Sequence, residues 1–122
     1  EPIVELINKQ KNFFKYKKNI HFYNIALGSI SKFEKFLITN RTDSSSFLEI
    51  EKKKNYSNYY SVKEKRKIKI ETLDRIFYKK RIAYPILIKI DVQGFELEVL
   101  KGSRKLLKKT NMVESYFKHY FE

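Results

Sequence analysis

The sequence predicts an α/β domain that contains a parallel sheet with flanking helices and a small β insertion. Apolar runs of strand character alternate along the chain with segments of helical periodicity, which is the pattern of βα units. The run YPILIKID (84–91) is apolar at almost every position, as in a parallel strand that is covered on both faces. At 122 residues, of which 42% are hydrophobic, the chain has the size of one domain, which we place at 1–122.

The chain is predicted to begin with a helix and a strand. Pro2 suits the first turn of a helix, and apolar residues recur at near-helical spacing from residue 3 to about residue 15. The run IHFYNIAL (20–27) is rich in β-branched and aromatic residues and stops at Gly28. We therefore predict a helix over 3–15 and a strand over 20–27.

A β insertion is predicted over residues 30–66. The run KFEKFLIT (32–39) alternates loosely and predicts an exposed strand, and FLEIE (47–51) is a candidate to pair back with it. Residues 52–66 consist mainly of Lys, Asn, Ser and Tyr without periodicity, and this composition predicts a loop.

The C-terminal half alternates strands with short helices. The run KIKIE (67–71) alternates cleanly, as a half-buried strand does. Thr72 is placed to cap a helix over 73–80 whose first turn holds Asp74. After the strand at 84–91 we predict a helix over 94–101 that stops at Gly102, a helix over 103–108 and a strand over 111–117.

Composition narrows the possible chemistry. The chain has no cysteine, which excludes disulfides and thiolate metal sites, and its two histidines are too few for an imidazole cage. A metal would need oxygen ligands. We assign no metal ligands, and metal dependence stays open. No apolar stretch approaches the roughly 18–20 residues of a membrane span, so we expect a cytoplasmic protein. The chain begins with Glu1-Pro2 rather than Met, and we expect it to be a fragment.

The net charge of +13 raises the hypothesis of nucleic-acid binding, because clustered Lys and Arg release counterions from phosphates. Two features argue against it. Lys outnumbers Arg and occurs with abundant Asn, Ile, Tyr and Phe, a composition that AT-rich codons produce without any partner. The basic runs at 11–19, 51–67 and 101–109 also lie in separate places. We therefore do not expect nucleic acid as the partner.

Polar residues beyond the carboxyl ends of parallel strands are the first candidates for a ligand site, because ligands bind at that edge of the sheet. Asp91 ends the strongest strand, and Glu1 stands directly before a helix, as a residue at the end of a strand does. An alternative role for Asp91 is to cap the helix at 94–101. For Glu96 and Glu98 the alternative to a functional role is a solvent-exposed place in a first helical turn.

One long motif carries a family resemblance. The segment LIKIDVQGFELEVLKGSRKLL (87–107) resembles the signature of the FkbM family of S-adenosylmethionine-dependent methyltransferases, in which a strand ending K-I-D-V-[EQ]-G-x-E leads into a helix with V-L-x-G. Shorter pieces occur in the family's order across essentially the whole chain: EP (1–2), NIALGS (24–29), SSS (44–46), ETLD (71–74) and VES (113–115). The long signature is fairly specific, whereas the short pieces alone are weak.

The resemblance implies a class I methyltransferase fold, a seven-stranded Rossmann-like parallel sheet that binds S-adenosylmethionine. It implies that Glu1, which Pro2 follows, accepts hydrogen bonds from the ribose diol, because a carboxylate can accept from two vicinal hydroxyls. Asp91 would lie beside the methionine portion of the cofactor and the transferring methyl. The residues implied to line the adenine pocket are Asn24, Ile25, Ala26 and Leu27.

The family's first strand and its Gly-rich loop have no match here, because the three glycines stand in other motifs. That strand lies in the middle of the family's sheet, so we expect the domain to be incomplete at its N-terminus. Two parallel strands would then lack a neighbour, and the isolated chain should fold marginally and bind the cofactor weakly.

The implied reaction is methyl transfer to a hydroxyl of a sugar, glycolipid or polyketide-like acceptor, with Asp91 as the base and Glu96 as the second candidate. The acceptor side is assigned to the loop at 51–66 and to Ser45, Ser46, Gln93 and Gly94. The partner is then a small molecule or a glycan, and the oligomeric state stays open. The alternatives are a basic, non-catalytic binding module for nucleic acid or anionic glycan, and an inactive truncated methyltransferase.

Overall fold

The computed structural model describes residues 1–39, 61–92 and 94–115 of the chain. Helices and strands are interspersed along it, and the α/β mixture that the sequence predicts is confirmed. In chain order the elements are α1 (Val4–Phe13), β1 (Ala26–Leu27), β2 (Lys32–Thr39), β3 (Val62–Glu71), α2 (Leu73–Phe77), β4 (Leu87–Ile90), α3 (Glu96–Lys101), α4 (Arg104–Leu107) and β5 (Met112–Ser115).

The described strands form two separate sheets. The first has three strands in the order β1-β3-β2, in which β1 runs parallel and β2 antiparallel to β3. The second is the parallel pair of β4 and β5. Within the described residues, a single Rossmann-like parallel sheet is therefore not confirmed, because parallel pairing is confined to these two short ladders.

The strand β3 is longer than the sequence predicts. Residues 62–66, predicted as loop, form its first half and pair with the distal half of β2. A loop was predicted because this half carries almost no apolar periodicity. The prediction was wrong because charged side chains are well tolerated on the solvent face of an antiparallel strand. The predicted strand at 47–51 lies outside the described residues.

The strand β1 is shorter than predicted. From the run 20–27 only Ala26 and Leu27 pair with β3. The residues before them bind the start of the chain instead, since the carbonyl of Tyr23 accepts from the Glu1 amino group over 3.3 Å. Aromatic and β-branched composition favours a strand, but a strand also needs a neighbour in register, and composition does not encode that neighbour.

The main core lies between α1 and the first sheet. Burial of a large aliphatic or aromatic side chain contributes about 1.5–3 kcal/mol, so this cluster is the main source of stability for the N-terminal part. An arginine on β3 also connects the same two elements, because Arg66 binds both carboxylate oxygens of Glu5 at 2.9 and 3.0 Å. The core residues are Ile3, Ala26, Phe36, Ile38, Ile68 and Ile70, with Leu6 packed against them.

The C-terminal elements are joined by the carboxylate of Asp74. Asp74 lies in the first turn of α2, as predicted, and its carboxylate oxygens accept the backbone N–H groups of Lys105 (2.9 and 3.0 Å) and Leu106 (2.8 Å). The Asp74 N–H in turn donates to the carbonyl of Gly102 over 3.0 Å. Asp74 thus caps the N-terminus of α4 across the tertiary structure.

Only one face of β4 is covered. Ile86 and Ile90 are buried, whereas Leu87 is 61% exposed and lies opposite the exposed Met112 of β5. The apolar run at 84–91 predicts that both faces of this strand are covered, and among the described residues that prediction is wrong. None of the helices in the described part of the chain has the length and apolar character that a bilayer crossing requires.

Candidate functional site

Three of the predicted cofactor residues lie together at the start of the chain. The Glu1 carboxylate accepts the N–H of Ile3 over 2.8 Å, which places it at the entrance to α1. The side-chain amide of Asn24 donates to the carbonyls of Glu1 and Pro2, at 3.2 and 3.0 Å. Because Glu1 and Asn24 are both exposed, they present a carboxylate and an amide to solvent side by side.

The rest of the predicted adenine-pocket segment is apolar and enters the fold. Ala26 is buried in the main core, and its backbone pairs with Ile70 of β3. Ile25 and Leu27 are half-buried on either side of it. The segment therefore supplies one polar group, on Asn24, at the margin of an apolar surface.

The predicted catalytic residues follow β4, with Asp91 in the turn and Glu96 at the start of α3. Asp91 is exposed directly after the strand. Gly94 adopts φ of 94°, a left-handed conformation that favours glycine, and its N–H donates to the Glu96 carboxylate over 3.0 Å. The residue at the N-cap of α3 is Phe95, which makes no side-chain cap.

Glu96 is buried, with 3% of its surface exposed. The alternative that Glu96 occupies a solvent-exposed place in the first helical turn is therefore wrong. Its carboxylate holds the Gly94 turn by accepting the N–H of the glycine. A buried polar group is stable when it is hydrogen-bonded, and this contact explains how the fold accommodates the carboxylate. Glu96 shapes the turn that follows Asp91.

A cavity of about 360 Å³ opens beside this turn. It lies beyond the carboxyl ends of both β1 and β4, because Gly28 follows the first strand and Phe95 belongs to the turn after the second. Its lining residues are Gly28, Ser29, Ile30, Lys32, Ile70, Phe95 and Glu98.

A carboxylate and a hydroxyl face each other in this cavity. The Ser29 hydroxyl donates to Glu98 Oε2, and the Lys101 ammonium lies 2.6 Å from Glu98 Oε1. The Lys101 hydrogen bond, and after it the one from Ser29, lowers the pKa of the Glu98 carboxyl below its ordinary value. Glu98 is therefore ionised and fixed in position at neutral pH, half-buried rather than fully exposed.

Two glycines bring the walls of the site together. A Cβ added at Gly102 would lie 2.0 Å from the carbonyl oxygen of Gly28. Gly102 ends α3, as predicted, but its φ of −81° is open to any residue, so the requirement for glycine is steric. A Cβ at Gly28 would meet Ile70 at 2.7 Å and Phe95 at 3.3 Å. The helix that carries Glu98 thus packs directly against the backbone after β1.

The ETLD segment has a structural role in the fold. Glu71 is buried and accepts hydrogen bonds from the Ser31 hydroxyl and the Thr72 N–H, both at 3.1 Å. Burial raises the pKa of Glu71, but these two bonds and the nearby charges of Arg75 and Lys69 outweigh it, so the pKa lies below its ordinary value.

The structure brings two of the predicted groups into local clusters: Glu1 with Pro2 and Asn24, and Gly94 with Glu96. Sequence reasoning missed Ser29, Phe95 and the inward position of Glu98. The signal for Ser29 was its place in the NIALGS piece. Ser45, Ser46 and Gln93 lie outside the described residues, as does most of the loop at 51–66.

Within residues 1–39, 61–92 and 94–115, no group of three or more His, Cys, Asp or Glu side chains is placed to hold a metal ion.

Comparison with known proteins identifies the family. No curated protein and no solved structure matches the chain. The family described as Methyltransferase FkbM domain matches residues 1–122, which is the whole chain. The match includes the Glu1 cluster, the turn after β4 and the residues that line the cavity, and it agrees with the resemblance of the signature segment. The chain belongs to the FkbM methyltransferase family.

Proposed function

We propose that this chain acts in S-adenosylmethionine-dependent methylation of a hydroxyl on a small-molecule or glycan acceptor such as a sugar, a glycolipid or a polyketide. The observation that carries the proposal is the family match over residues 1–122. The geometry supports it, because the exposed Asp91 follows β4 and the half-buried Ser29 follows β1, beyond the carboxyl ends at which α/β folds bind ligands. The cytoplasmic location stays a prediction.

The residues at the start of the chain fit the cofactor. Glu1 uses Oε1 for the Ile3 N–H, and among the described residues no hydrogen bond is made to Oε2. That oxygen and the remaining lone pairs suit the two hydroxyls of a ribose. The Asn24 amide and the half-buried Ile25 and Leu27 beside it offer a polar edge and an apolar face, which suit an adenine ring.

The turn after β4 fits the acceptor. S-adenosylmethionine, when bound, would supply an electrophilic methyl group on a sulfonium sulfur, and that sulfur would be the leaving group when an acceptor oxygen is methylated. The exposed Asp91 carboxylate orients the acceptor hydroxyl and takes its proton. Buried Glu96 is proposed as a positioning residue, because its hydrogen bond to Gly94 holds the turn that aims Asp91.

The test is an isothermal titration of the intact protein with S-adenosylmethionine, followed by a methyl-transfer assay with hydroxyl acceptors. We expect saturable one-to-one binding, and we expect Glu1→Gln to weaken it about tenfold or more, since hydrogen bonds to a charged group contribute about 1.5–3 kcal/mol. Asp91→Asn should lower turnover by about 10²–10⁴-fold. Wild-type turnover by Asp91→Asn would refute the assignment of the base.

The matched control is Glu64→Gln, which makes the same chemical change on an exposed carboxylate of β3. Glu64 pairs with Arg66 at 2.8 Å and lies outside both clusters. We expect this variant to retain the cofactor affinity and the turnover of the wild type within twofold.

One observation favours polyanion binding as a second candidate function. Four lysines alternate along β3 and are all exposed, and on β2 Lys35 stands directly opposite Lys67. Like charges placed opposite each other oppose strand pairing, and a bound polyanion would relieve that repulsion. The four lysines are Lys63, Lys65, Lys67 and Lys69.

Titration with a single-stranded oligonucleotide at several salt concentrations tests this second candidate. Polyanion binding requires an affinity that falls steeply as salt rises and that weakens when the β3 lysines are changed to Gln. If no binding is seen at low salt, polyanion binding is refuted. The β3 lysines lie outside the clusters assigned to methylation, so their replacement should leave S-adenosylmethionine binding intact.

A further inference from the structure

We propose that the C-terminal end of α1 docks this protein on an anionic membrane surface. The region concerned, called here the tip, is residues 9–18, which comprise the last half of α1 and the turns that follow it. It carries five lysines, three aromatic residues and no acidic residue. The proposal does not depend on the proposed methylation, because the tip shares no residue with the clusters assigned to that reaction.

Two aromatic side chains of the tip project into solvent. Phe13 is 81% exposed and Tyr16 is 84% exposed, the highest values among the large hydrophobic side chains that the structure describes. Transfer of such rings out of water is favourable, and neighbouring exposed apolar groups mark interaction sites. Two projecting rings within four residues therefore indicate a surface that meets a partner.

The fold holds these rings in place. Phe14 is half-buried and packs against Phe22 with ring centroids 6.3 Å apart, and Phe13 meets Phe14 edge to face at 4.8 Å. The Lys17 N–H donates to the Phe14 carbonyl over 2.8 Å, which closes the turn that contains Tyr16. Phe14 thus anchors the tip to the fold while its neighbours stay exposed. A surface that is already ordered loses little conformational entropy when it binds.

Lysines surround the two rings. Lys9 lies one helical turn before Phe13 on the same side of α1, and the Lys15 ammonium lies 5.0 Å from the centre of the Tyr16 ring. The remaining lysines of the tip, which are exposed as well, are Lys11, Lys17 and Lys18.

The positive charge of the tip is not offset by its neighbours in sequence. No Asp or Glu occurs over residues 6–33. The carboxylate that precedes this stretch, on Glu5, is bound by Arg66 through both oxygens at 2.9 and 3.0 Å. The charge of the tip is therefore available to an anionic partner.

Aromatic rings framed by lysines match the chemistry of an anionic bilayer surface. Each lysine near such a surface strengthens binding by about fivefold through its attraction to the lipid phosphates. Aromatic rings enter the interfacial layer beneath the headgroups, and lysine stems can lie along that layer while their ammonium groups stay among the phosphates. The tip offers both features together, with the rings projecting and the ammonium groups around them.

The shape of the tip favours a membrane over nucleic acid. A single strand binds along a basic groove that follows its backbone over about 4–16 nucleotides, with aromatic rings as platforms inside the groove. The tip is the end of one helix, and its two rings project from it instead of lining a groove. A bilayer accepts a projecting side chain at any point of its surface, because the lipid headgroups separate around it.

The first test is co-sedimentation of the intact protein with lipid vesicles. We expect saturable binding to vesicles of equimolar phosphatidylcholine and phosphatidylglycerol, and binding about tenfold weaker or less to phosphatidylcholine alone. Binding to the anionic vesicles should weaken as salt rises, because salt screens the lysine charges. Equal affinity for the two compositions, or no binding to the anionic vesicles at low salt, would overturn the proposal.

A matched pair of aromatic variants locates the surface. Phe13→Ala should weaken binding to the anionic vesicles about fivefold or more, because it removes a ring that enters the interface. Phe33→Ala is the control and should stay within about twofold of the wild type. Phe33 is also exposed, at 61%, and has Lys67 5.4 Å from its ring centre, but it lies on β2 outside the tip. Wild-type affinity in Phe13→Ala would contradict the proposal.

A matched pair of lysine variants separates a local site from the effect of net charge. The double variant Lys17→Gln, Lys18→Gln should weaken vesicle binding about tenfold or more. The double variant Lys63→Gln, Lys65→Gln removes the same charge from β3 and should weaken it about twofold or less. If the two double variants weaken binding equally, net charge is the cause and the tip is not the docking surface.

An inserted ring also gives an optical signal. The chain has no tryptophan, so Phe13→Trp places a single fluorescent reporter at the tip and Phe33→Trp places one at the control position. With anionic vesicles, we expect the emission of Phe13→Trp to move to shorter wavelength and that of Phe33→Trp to stay unchanged. Unchanged emission from vesicle-bound Phe13→Trp would refute insertion. If a single-stranded oligonucleotide shifts the Phe13→Trp emission and anionic vesicles do not, the tip binds nucleic acid and the membrane proposal fails.

Discussion

Replacing Gly102 by alanine should destabilise the domain through one backbone contact. The new Cβ would lie 2.0 Å from the carbonyl oxygen of Gly28, whereas Cβ contacts under 3.0 Å are essentially never seen. The backbone segments around Gly28 and Gly102 must therefore separate by about 1 Å, and both segments are held in place by contacts elsewhere in the fold. The φ of Gly102 is −81°, so alanine brings no dihedral strain and the effect is purely one of space.

The magnitude follows from packing energetics. Over-packing of a close-packed site costs about 1–3 kcal/mol, and a backbone clash belongs at the upper end of that range because no rotamer change relieves it. With a urea m-value of about 1–3 kcal/mol per molar, the midpoint of unfolding should fall by about 1 M or more. The assay is urea unfolding followed by far-UV circular dichroism, with the m-value checked for change.

Gly28→Ala is the internal comparison. Its Cβ would meet side-chain atoms, Ile70 Cγ2 at 2.7 Å and Phe95 Cε1 at 3.3 Å, so the overlap is shallower than the one at Gly102. We expect a smaller loss, about 1 kcal/mol, because the shift that relieves the overlap is smaller and falls on side chains. The reasoning is refuted if Gly102→Ala unfolds at the wild-type midpoint, or if Gly28→Ala is the more damaging of the two.

Two further changes test contacts that link distant parts of the chain. Asp74→Ala should lower the free energy of unfolding by about 1–2 kcal/mol, because it leaves the N–H groups of Lys105 and Leu106 without their shared acceptor; urea unfolding measures the loss, and an unchanged midpoint would contradict the capping role. The Arg66 hydrogen bond holds the pKa of Glu5 at about 2, below its ordinary value of 4.5, so this pair stabilises the fold fully above pH 4.5 and progressively less as the pH falls toward 2. Acid titrations of the wild type and Glu5→Gln should therefore converge near pH 2, and a gap between the two curves that persists at that pH would show that the stabilisation is not ionic.

Local features of the fold were predictable because short-range chemistry decides them. Thr72 was expected to cap α2, and its hydroxyl does accept the N–H of Arg75 over 3.1 Å. Pro2 predicted the start of α1, and the alternation at 67–71 predicted the inner half of β3. Each of these signals acts within a few residues, where composition and spacing are sufficient.

Partner choice between strands was not predictable in the same way. The run 20–27 has strand composition throughout, but only Ala26 and Leu27 pair, because Tyr23 and Asn24 bind the first residues of the chain. Residues 62–66 lack strand-like hydrophobicity, yet they pair because β2 lies beside them in register. Pairing depends on neighbours brought from a distance, and local propensity is overridden where such a neighbour exists.

The sequence by itself determined the family, the α/β character and the identity of the polar groups available for chemistry. Only the tertiary structure decided what those groups contact: Glu98 faces Ser29 from 69 residues away, and Asp74 caps a helix that begins 30 residues later. It also decided that Gly102 must be glycine, because the constraint is the backbone of Gly28 and not the dihedral angle of Gly102 itself. Such contacts are set by the packing of whole elements. The type of a residue and its neighbours in sequence do not indicate which distant backbone segment will come within 3 Å.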